Sequence, residues 1–306
     1  MAGYGSGVSP PRRPSLRALA LGLMVAAAVS TQFGAAVAAL VFPAAGPMGV
    51  VTLRLVLGAV ILLVVFRPRV RGRTRADWLA VAGLGTSLAV MNSLLYHAIE
   101  RIPLGIAVTF EVLGPLTLYV VLGRRPAHVV WALLALAGVY LLGGGETSGL
   151  DPAGVALALG AAVAWASYIL VGSQVARRFA RADGLALAMV VGAVLALPLG
   201  VATAGGALLE PRVLGVGAAV ALLSSAIPYS LEMAALRRIT AGSFAVLTSL
   251  SPLIAALAGW LVLGQGLALL DLLGMLLVVV ALAGATSRPR PRRRGRGTAP
   301  APPPGG

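Results

Sequence analysis

The sequence predicts an all-α membrane protein with ten transmembrane helices, arranged as two inverted five-helix repeats. Composition is the first reason, because 59% of the 306 residues are hydrophobic and only 11% are charged. A soluble domain of this size could not bury so much apolar surface. Apolar segments of membrane-spanning length then alternate with short, often basic loops along the chain. A weak repeat between the two halves completes the prediction.

The predicted spans divide equally between the two halves of the chain. In the first half they cover residues 18–40, 47–66, 78–99, 103–123 and 127–142. In the second half they cover residues 152–175, 184–201, 213–236, 240–263 and 267–285. The first five spans form a repeat over residues 18–145, and the second five form a repeat over residues 146–286. Residues 1–17 and 287–306 are basic and proline-rich, which predicts two disordered tails.

The distribution of arginine predicts the orientation in the membrane. All 24 basic residues are arginine, and 21 of them lie in the two tails and in alternate loops. Arg101 and Arg212 lie in the opposite loops, and Arg54 lies within a span. Because cytoplasmic loops carry the excess of positive charge, both termini are predicted to be cytoplasmic, in a bacterial inner membrane. The +15 net charge is therefore a topology signal rather than a nucleic-acid site, and the C-terminal tail is expected to contact anionic membrane lipid.

The repeat relates the segments 100–126 and 237–265 at a separation of 137 residues. Three matched positions carry it: Arg101 with Arg238, Gly105 with Gly242, and Pro115 with Pro252. Since five spans is an odd number, the second half must enter the membrane from the opposite side, which predicts an inverted-topology repeat. Glu111 breaks the symmetry, because its counterpart is Thr248.

Three charged residues lie within the predicted spans: Arg54, Glu111 and Glu232. Inserting one such side chain at the centre of a membrane helix costs roughly 2.5–3.5 kcal/mol, so a structural or functional role is expected for each of them. A carboxylate at the depth of Glu111 suits a group that takes up and releases a proton during transport. Arg54 would bind a substrate carboxylate, which a guanidinium matches bidentately. The alternative is a buried Arg54–Glu111 ion pair that only holds two helices together.

The eighth span carries a polar stripe of Ser225, Pro228, Tyr229 and Glu232, whose spacing places them on one helix face. That face is expected to point inward, away from lipid. Glu232 lies nearer the cytoplasmic end of the span, where its side chain could also reach the interface.

Paired polar and aromatic residues in two other spans follow the same helical spacing. They are Asn92 with Tyr96 in the third span and Trp165 with Tyr168 in the sixth. Ordinary packing with one hydrogen bond is the alternative for the tyrosines. Gln32 in the first span is a single polar residue that belongs to no pattern of helical spacing. His97 is expected to lie at the membrane interface.

Several classes of protein are excluded by what the sequence lacks. There is no cysteine and there are only two histidines, so no disulfide, thiolate site or histidine-rich metal centre is expected. There is no Walker-type phosphate loop and no recognisable nucleophile motif. The sequence therefore predicts neither an enzyme nor an ATP-driven pump, and no cofactor.

Motifs in both halves resemble the EamA family of the drug/metabolite transporter superfamily and, within it, the inner-membrane threonine and homoserine exporters. The matching stretches are FPAAGPMGVVTLRLVLGAVIL from Phe42, RIPLGIAVTFEVLGPL from Arg101, GRRP from Gly123, ALALGAAVAWASYILVG from Ala156 and SSAIPYSLEMAALRRI from Ser224. The resemblance implies two five-helix bundles around a central cavity. It also implies a secondary transporter that exports a small neutral amino acid, with the proton motive force as driver.

Residues that match the family's motifs, together with the polar pairs, make up the predicted substrate or coupling site. They are Arg54, Asn92, Tyr96, Glu111, Tyr168, Tyr229 and Glu232. Family members often carry glutamate where this chain has Ser251 and Gln265, so coupling is expected to concentrate on Glu111 and Glu232. The partners implied are a small amino acid and protons. An exporter of drugs or other metabolites, a membrane scaffold or sensor, and a homodimer all stay open.

Overall fold

The computed structural model describes residues 16–123, 127–144, 150–236 and 250–286. These residues form twelve α-helices and contain no β-strand. The helices are α1 (Leu16–Ala39), α2 (Phe42–Phe66), α3 (Arg75–Arg101), α4 (Leu104–Glu111), α5 (Leu113–Gly123), α6 (Ala127–Gly144), α7 (Pro152–Arg178), α8 (Asp183–Ala204), α9 (Pro211–Ala221), α10 (Ile227–Leu236), α11 (Ser251–Leu263) and α12 (Leu269–Thr286). A 3₁₀ turn at Gly205–Leu209 follows α8, and a π-turn at Leu222–Ala226 joins α9 to α10.

Six of the described helical stretches are long and apolar enough to cross a membrane. They are Gly22–Ala39, Phe42–Phe66, Arg75–Arg101, Pro152–Arg178, Asp183–Leu209 and Pro211–Ala235. They correspond to the first, second, third, sixth, seventh and eighth predicted spans, which are confirmed as membrane-length helices. Shorter apolar helices lie in the fourth, ninth and tenth predicted spans. The first part of the ninth span, residues 240–249, lies outside the described residues.

The second span begins earlier than the sequence predicted. Helix α2 starts at Phe42 rather than at residue 47, and it bends at Gly46, whose φ of 64° lies in the left-handed region that favours glycine. Pro47 follows directly, and it cannot continue the hydrogen-bond ladder of the preceding turn. The bend therefore has a local cause in the Gly-Pro pair.

The fourth span is divided into two helices at Val112. Helix α4 ends at Glu111 and α5 begins at Leu113, where Pro115 removes the backbone N–H that would bond to the Glu111 carbonyl. The interruption is a single residue, Val112, with φ −68° and ψ −10°. Gly114 lies against the backbone of Ala162 on α7, so close that a Cβ there would collide with the Ala162 carbonyl. Glu111 is buried in the helix assembly, as are the other residues of α4.

Helices α3 and α7 pack along their lengths, and an ion pair closes each end. Arg101 binds Asp151 at 2.9 Å, where α3 ends and α7 begins. Arg178 binds Asp77 at 3.2 Å, where α7 ends and α3 begins. Because the partners lie at opposite ends of the two helices, α3 and α7 run antiparallel.

The other principal helix contacts join the two halves of the chain. Helix α2 packs on α8, α6 on α12, and α4 on α11. Helix α3 contacts α7 and α8, while α1 and α2 contact α9 and α10 or the π-turn between them. The core therefore lies between the halves, and a cluster of buried polar residues is found there.

Candidate functional site

A cavity with polar and charged groups in a largely apolar wall lies between seven helices: α1, α2, α3, α4, α7, α10 and α11. The polar and charged side chains in its wall are Thr31, Gln32, Arg54, Asn92, Glu111, Tyr168, Tyr229, Glu232 and Ser251. The space open to the centres of water-sized molecules is about 50 Å³. One water needs roughly 10–15 Å³ by that measure, so the cavity accommodates a few waters or a small solute.

Most of the predicted site residues meet in this cavity. Arg54, Asn92, Glu111, Tyr168, Tyr229 and Glu232 all line it, although they come from five different helices. Tyr96 does not line the wall, but its hydroxyl accepts a hydrogen bond from Arg54 at 2.8 Å. The polar stripe of the eighth span faces this interior: Ser225 and Tyr229 are buried, and Glu232 lines the cavity. Trp165 of α7 also contributes to the wall.

Arg54 is only 2% exposed, and its guanidinium is held by neutral partners. Its Nε donates to Ser225 Oγ at 2.9 Å, and its Nη2 donates to the Tyr229 hydroxyl at 3.1 Å. Nη2 also donates to the Ser224 carbonyl, and Nη1 donates to Tyr96. Four of the five guanidinium N–H groups are thereby used, and the second N–H of Nη1 has no partner among the described residues. Arg54 consequently ties α2 to α3, α10 and the π-turn.

The Ser224 carbonyl can accept a hydrogen bond from Arg54 because the backbone of the eighth span is locally irregular. Pro228 has no N–H, so the carbonyl four residues earlier, that of Ser224, receives no bond from it. The ladder is already shifted there, because the Ile227 N–H bonds to the Leu222 carbonyl in a π-type turn. The freed carbonyl accepts from Arg54 instead.

The ion pair between Arg54 and Glu111, considered above as a structural alternative, is absent. Arg54 and Glu111 are both described, and no ion pair within 4.0 Å joins them, whereas Arg101–Asp151 and Arg178–Asp77 form such pairs at the ends of α3 and α7. Glu111 is 5% exposed, and its carboxylate accepts no hydrogen bond from the described part of the chain. Arg54 and Glu232 are its charged neighbours in the cavity.

Glu232 differs from Glu111 because a tyrosine holds it. The Tyr168 hydroxyl donates to Glu232 Oε2 at 2.8 Å. The Tyr168 and Tyr229 rings are 5.9 Å apart, and the Tyr229 hydroxyl accepts from Asn92 Nδ2 at 3.2 Å. The side chain of Glu232 therefore lies in the cavity wall.

Two residues of the cavity wall were not predicted as site residues from the sequence. Gln32 was interpreted as an isolated polar residue, yet it is 5% exposed and lines the cavity. Thr31 beside it also lines the cavity, and its hydroxyl is buried without a partner in the described residues. The run Ser30-Thr31-Gln32, three polar residues in an alanine-rich span, was the signal that could have found them. His97 lies elsewhere, with Nδ1 2.7 Å from the Ser93 carbonyl.

The two departures from the family pattern have different consequences. Ser251 lines the cavity, so a carboxylate at that position would add charge to the site. Gln265 lies outside the wall, and its Oε1 accepts from the backbone N–H of Leu104 at 3.1 Å, at the start of α4. Gln265 therefore caps a helix, and only Ser251 changes the chemistry of the cavity.

Comparison with known proteins identifies the family. The model of the EamA-like transporter family matches residues 152–287. RhtA of Escherichia coli strain K12, a threonine/homoserine exporter, is 40% identical over 261 residues, which are 85% of this chain and 88% of that protein. The chain belongs to the EamA-like transporter family. It is therefore a multi-pass membrane transporter, as its motifs and its membrane-length helices predicted.

Other relatives of this EamA-like transporter are consistent with that assignment. RhtA of Salmonella typhimurium strain SL1344, also a threonine/homoserine exporter, is 39% identical with the same coverage. The uncharacterized transporter YwfM of Bacillus subtilis strain 168 is 28% identical over 80% of this chain and 86% of that protein. A crystal structure of another protein, 20% identical in sequence to this chain, matches it with a TM-score of 0.62. The match covers 87% of this chain and 96% of that protein's chain. That structure shows a shared fold.

Proposed function

We propose that this protein exports small neutral amino acids of the threonine and homoserine type across a bacterial inner membrane, driven by the proton motive force. The observation that carries the proposal is the 40% identity, over 85% of the chain, to a threonine/homoserine exporter. The cavity supports it, because it is small and combines an arginine, two carboxylates and neutral hydrogen-bonding groups. A zwitterion with a polar side chain requires these three kinds of partner.

The proposed mechanism assigns the two ends of the zwitterion to the two charged sides of the cavity. Glu111 binds the substrate ammonium or a proton, since its carboxylate accepts no hydrogen bond from the described residues. The remaining Nη1 hydrogen of Arg54 binds the substrate carboxylate at one point, because the other four are engaged. Bidentate binding by Arg54 would require release of a tyrosine or serine.

Competition between proton and substrate for Glu111 would couple export to the proton gradient. A carboxylate that carries a proton cannot also hold an ammonium ion by charge. Proton entry from outside would therefore favour release of the amino acid. Glu232 would tune this exchange through its hydrogen bond to Tyr168, because the tyrosine hydroxyl stabilises its charge.

We also propose ten transmembrane helices in two inverted five-helix repeats, over residues 18–145 and 146–286. Helix positions support this, since α1, α2 and α3 recur as α7, α8 and the α9–α10 pair after a shift of about 137 residues. The packing supports it as well, because α2 packs on its counterpart α8 and α6 on α12. Asn92 and Tyr229, equivalent positions of the two repeats, bond to each other, as residues near a two-fold axis do.

Counterflow in proteoliposomes tests the proposed substrate. Vesicles loaded with unlabelled threonine should accumulate labelled threonine or homoserine, and lipophilic cations should not compete. Accumulation of a lipophilic cation with no response to any amino acid would instead indicate a drug exporter. A protein without the C-terminal residues 288–306 should retain counterflow, and loss of activity in that variant would favour a tail-driven scaffold or sensor.

Reporter fusions test the proposed topology, in which both termini and both tails, residues 1–17 and 287–306, are cytoplasmic. A periplasm-active reporter should be active after Glu146 and inactive after Arg181. The reverse pattern at either site would contradict the proposed orientation.

A further inference from the structure

The wall of the cavity formed by α1 carries polar groups that the proposed coupling mechanism does not use. Thr31 lies within α1 and lines the cavity, and its hydroxyl is buried. No described residue forms a hydrogen bond with that hydroxyl. Gln32 extends the same polar region and is 5% exposed.

Several other hydroxyls inside the described helices donate to a carbonyl one turn earlier, and others, such as Ser30 and Thr52, donate to a carbonyl of another helix. Thr109 donates to the Gly105 carbonyl at 2.7 Å, Ser87 to Gly83 at 2.9 Å, and Thr203 to Leu199 at 2.8 Å. This back-bonding is the usual fate of a hydroxyl within a helix. Because an unpaired polar group within a membrane costs several kcal/mol, the hydroxyl of Thr31 requires a partner in the cavity itself.

We infer that Thr31, together with Gln32, determines substrate specificity by hydrogen bonding to the side-chain hydroxyl of a hydroxy amino acid. The inference rests on the proposed function, and it deepens that function by naming the part of the cavity that selects the substrate. Glu111 and Arg54 bind groups that every amino acid carries, so they cannot distinguish one side chain from another. A substrate hydroxyl both donates and accepts, and the Thr31 hydroxyl and the Gln32 amide provide both complements.

Thr31 and Gln32 select the substrate mainly by rejecting an analogue that has no side-chain hydroxyl. Valine has nearly the shape of threonine, with a methyl group in place of the hydroxyl. Valine in the cavity would leave the Thr31 hydroxyl buried and unpaired. A site built to bond a substrate hydroxyl rejects such analogues strongly for this reason.

The test measures competition by threonine and by valine in counterflow of labelled threonine through proteoliposomes. The wild-type protein should prefer threonine. Thr31→Val keeps the size of the side chain and removes its hydroxyl, so the preference for threonine over valine should fall about tenfold. Gln32→Met, which keeps length and removes the amide, should lower the same ratio.

Two further variants separate recognition from damage to the fold. Thr31→Ser restores the hydroxyl and should recover the preference. Thr203→Val makes the same chemical change on an exposed residue of α8, and it should leave the preference as in the wild type. All proteins are compared at equal membrane abundance and as monodisperse samples in detergent.

The outcomes distinguish failure of this inference from failure of the proposed function. An unchanged threonine-to-valine ratio in Thr31→Val, or in Gln32→Met if the first variant does not fold, overturns the inference alone. A wild-type protein that exchanges no amino acid contradicts the proposed function and the inference with it. A selective loss of the ratio in both variants, with recovery in Thr31→Ser, supports the inference.

Discussion

The cavity has a cation side, where Arg54 and Tyr229 line the wall and Tyr96 and Ser225 hold Arg54 from behind it, and a carboxylate side, formed by Glu111 and Glu232. On the cation side, four of five guanidinium N–H groups already have protein partners. On the carboxylate side, Tyr168 holds Glu232, whereas Glu111 accepts no hydrogen bond from the described residues. Two buried charges of opposite sign therefore differ: Arg54 joins several helices through its hydrogen bonds, and Glu111 is the group to which the proposed function assigns the ligand.

The largest expected effect on stability follows from disturbing the cation side. Arg54→Lys keeps the charge, but an ammonium cannot reproduce the planar fork that reaches two tyrosines and the Ser224 carbonyl. Each charged hydrogen bond that is lost should cost about 1.5–3 kcal/mol of unfolding free energy. Thermal unfolding in detergent should show a clear fall in stability, together with reduced export.

Arg212→Lys is the matched control for that variant, because Arg212 is exposed near the start of α9. It should unfold as the wild type does. An Arg54→Lys protein of unchanged stability would contradict the organising role of the cation side.

A smaller effect, on the export rate, is expected from removing the hydrogen bond that Tyr168 donates to Glu232. Tyr168→Phe keeps the ring that packs on Tyr229 and removes the hydroxyl that donates to the carboxylate. Loss of one charged hydrogen bond should lower the initial export rate about tenfold. Tyr140→Phe, on an exposed residue of α6, should have no effect on the rate. Equal rates in the two variants would show that the bond to Glu232 is unimportant for transport.

The cap at the start of α4 offers a structural test that leaves the cavity intact. Gln265→Ala removes the acceptor for the Leu104 N–H and should cost about 1 kcal/mol of unfolding free energy. Gln265→Glu keeps an acceptor there and should retain that stability. Substrate preference should be the same in both variants, and a changed preference in counterflow would show that Gln265 belongs to the site.

The smallest effect is expected at the exposed ion pair between Arg101 and Asp151. The hydrogen bond from Arg101 lowers the pKa of Asp151 below its ordinary value of 3.8. Because the folded-state pKa is depressed, this contribution to stability is present above pH 3.8 and is lost as the pH falls through the folded-state pKa.

Asp151→Asn retains a capping side chain at the start of α7 and removes the charge. It should therefore be slightly less stable than the wild type at neutral pH and equally stable in strong acid. Unfolding curves over that pH range check this, and a stability difference that persists in strong acid would contradict the assignment.

The sequence predicted the helices well because hydrophobicity and the cost of charge in a membrane are local properties. Six predicted spans are membrane-length helices, and the depth of Glu111 marked it as a candidate before any contact was known. The early start of α2 was missed because Phe42 and Pro43 belong to a continuous apolar run, in which only the backbone geometry at Gly46 reveals the bend.

The partners within the site could not be predicted, because they come from distant parts of the chain. Arg54 meets Tyr229 across 175 residues, and Tyr168 meets Glu232 across 64. Helical spacing places such residues on a face, but it does not say which face of another helix they meet. Thr31 shows the same limit, since its importance depends on the absence of a carbonyl partner, which only the folded geometry reveals.

The most direct test of the difference between the two sides is proton-driven export by Glu111→Gln. Glutamine keeps the shape of the side chain and cannot exchange a proton or neutralise an ammonium ion. In proteoliposomes with an imposed pH gradient, the variant should lose gradient-driven threonine transport by at least about tenfold, while its unfolding curve matches that of the wild type. Unchanged pH-dependent transport in Glu111→Gln would contradict the assignment of Glu111 as the ligand and coupling group.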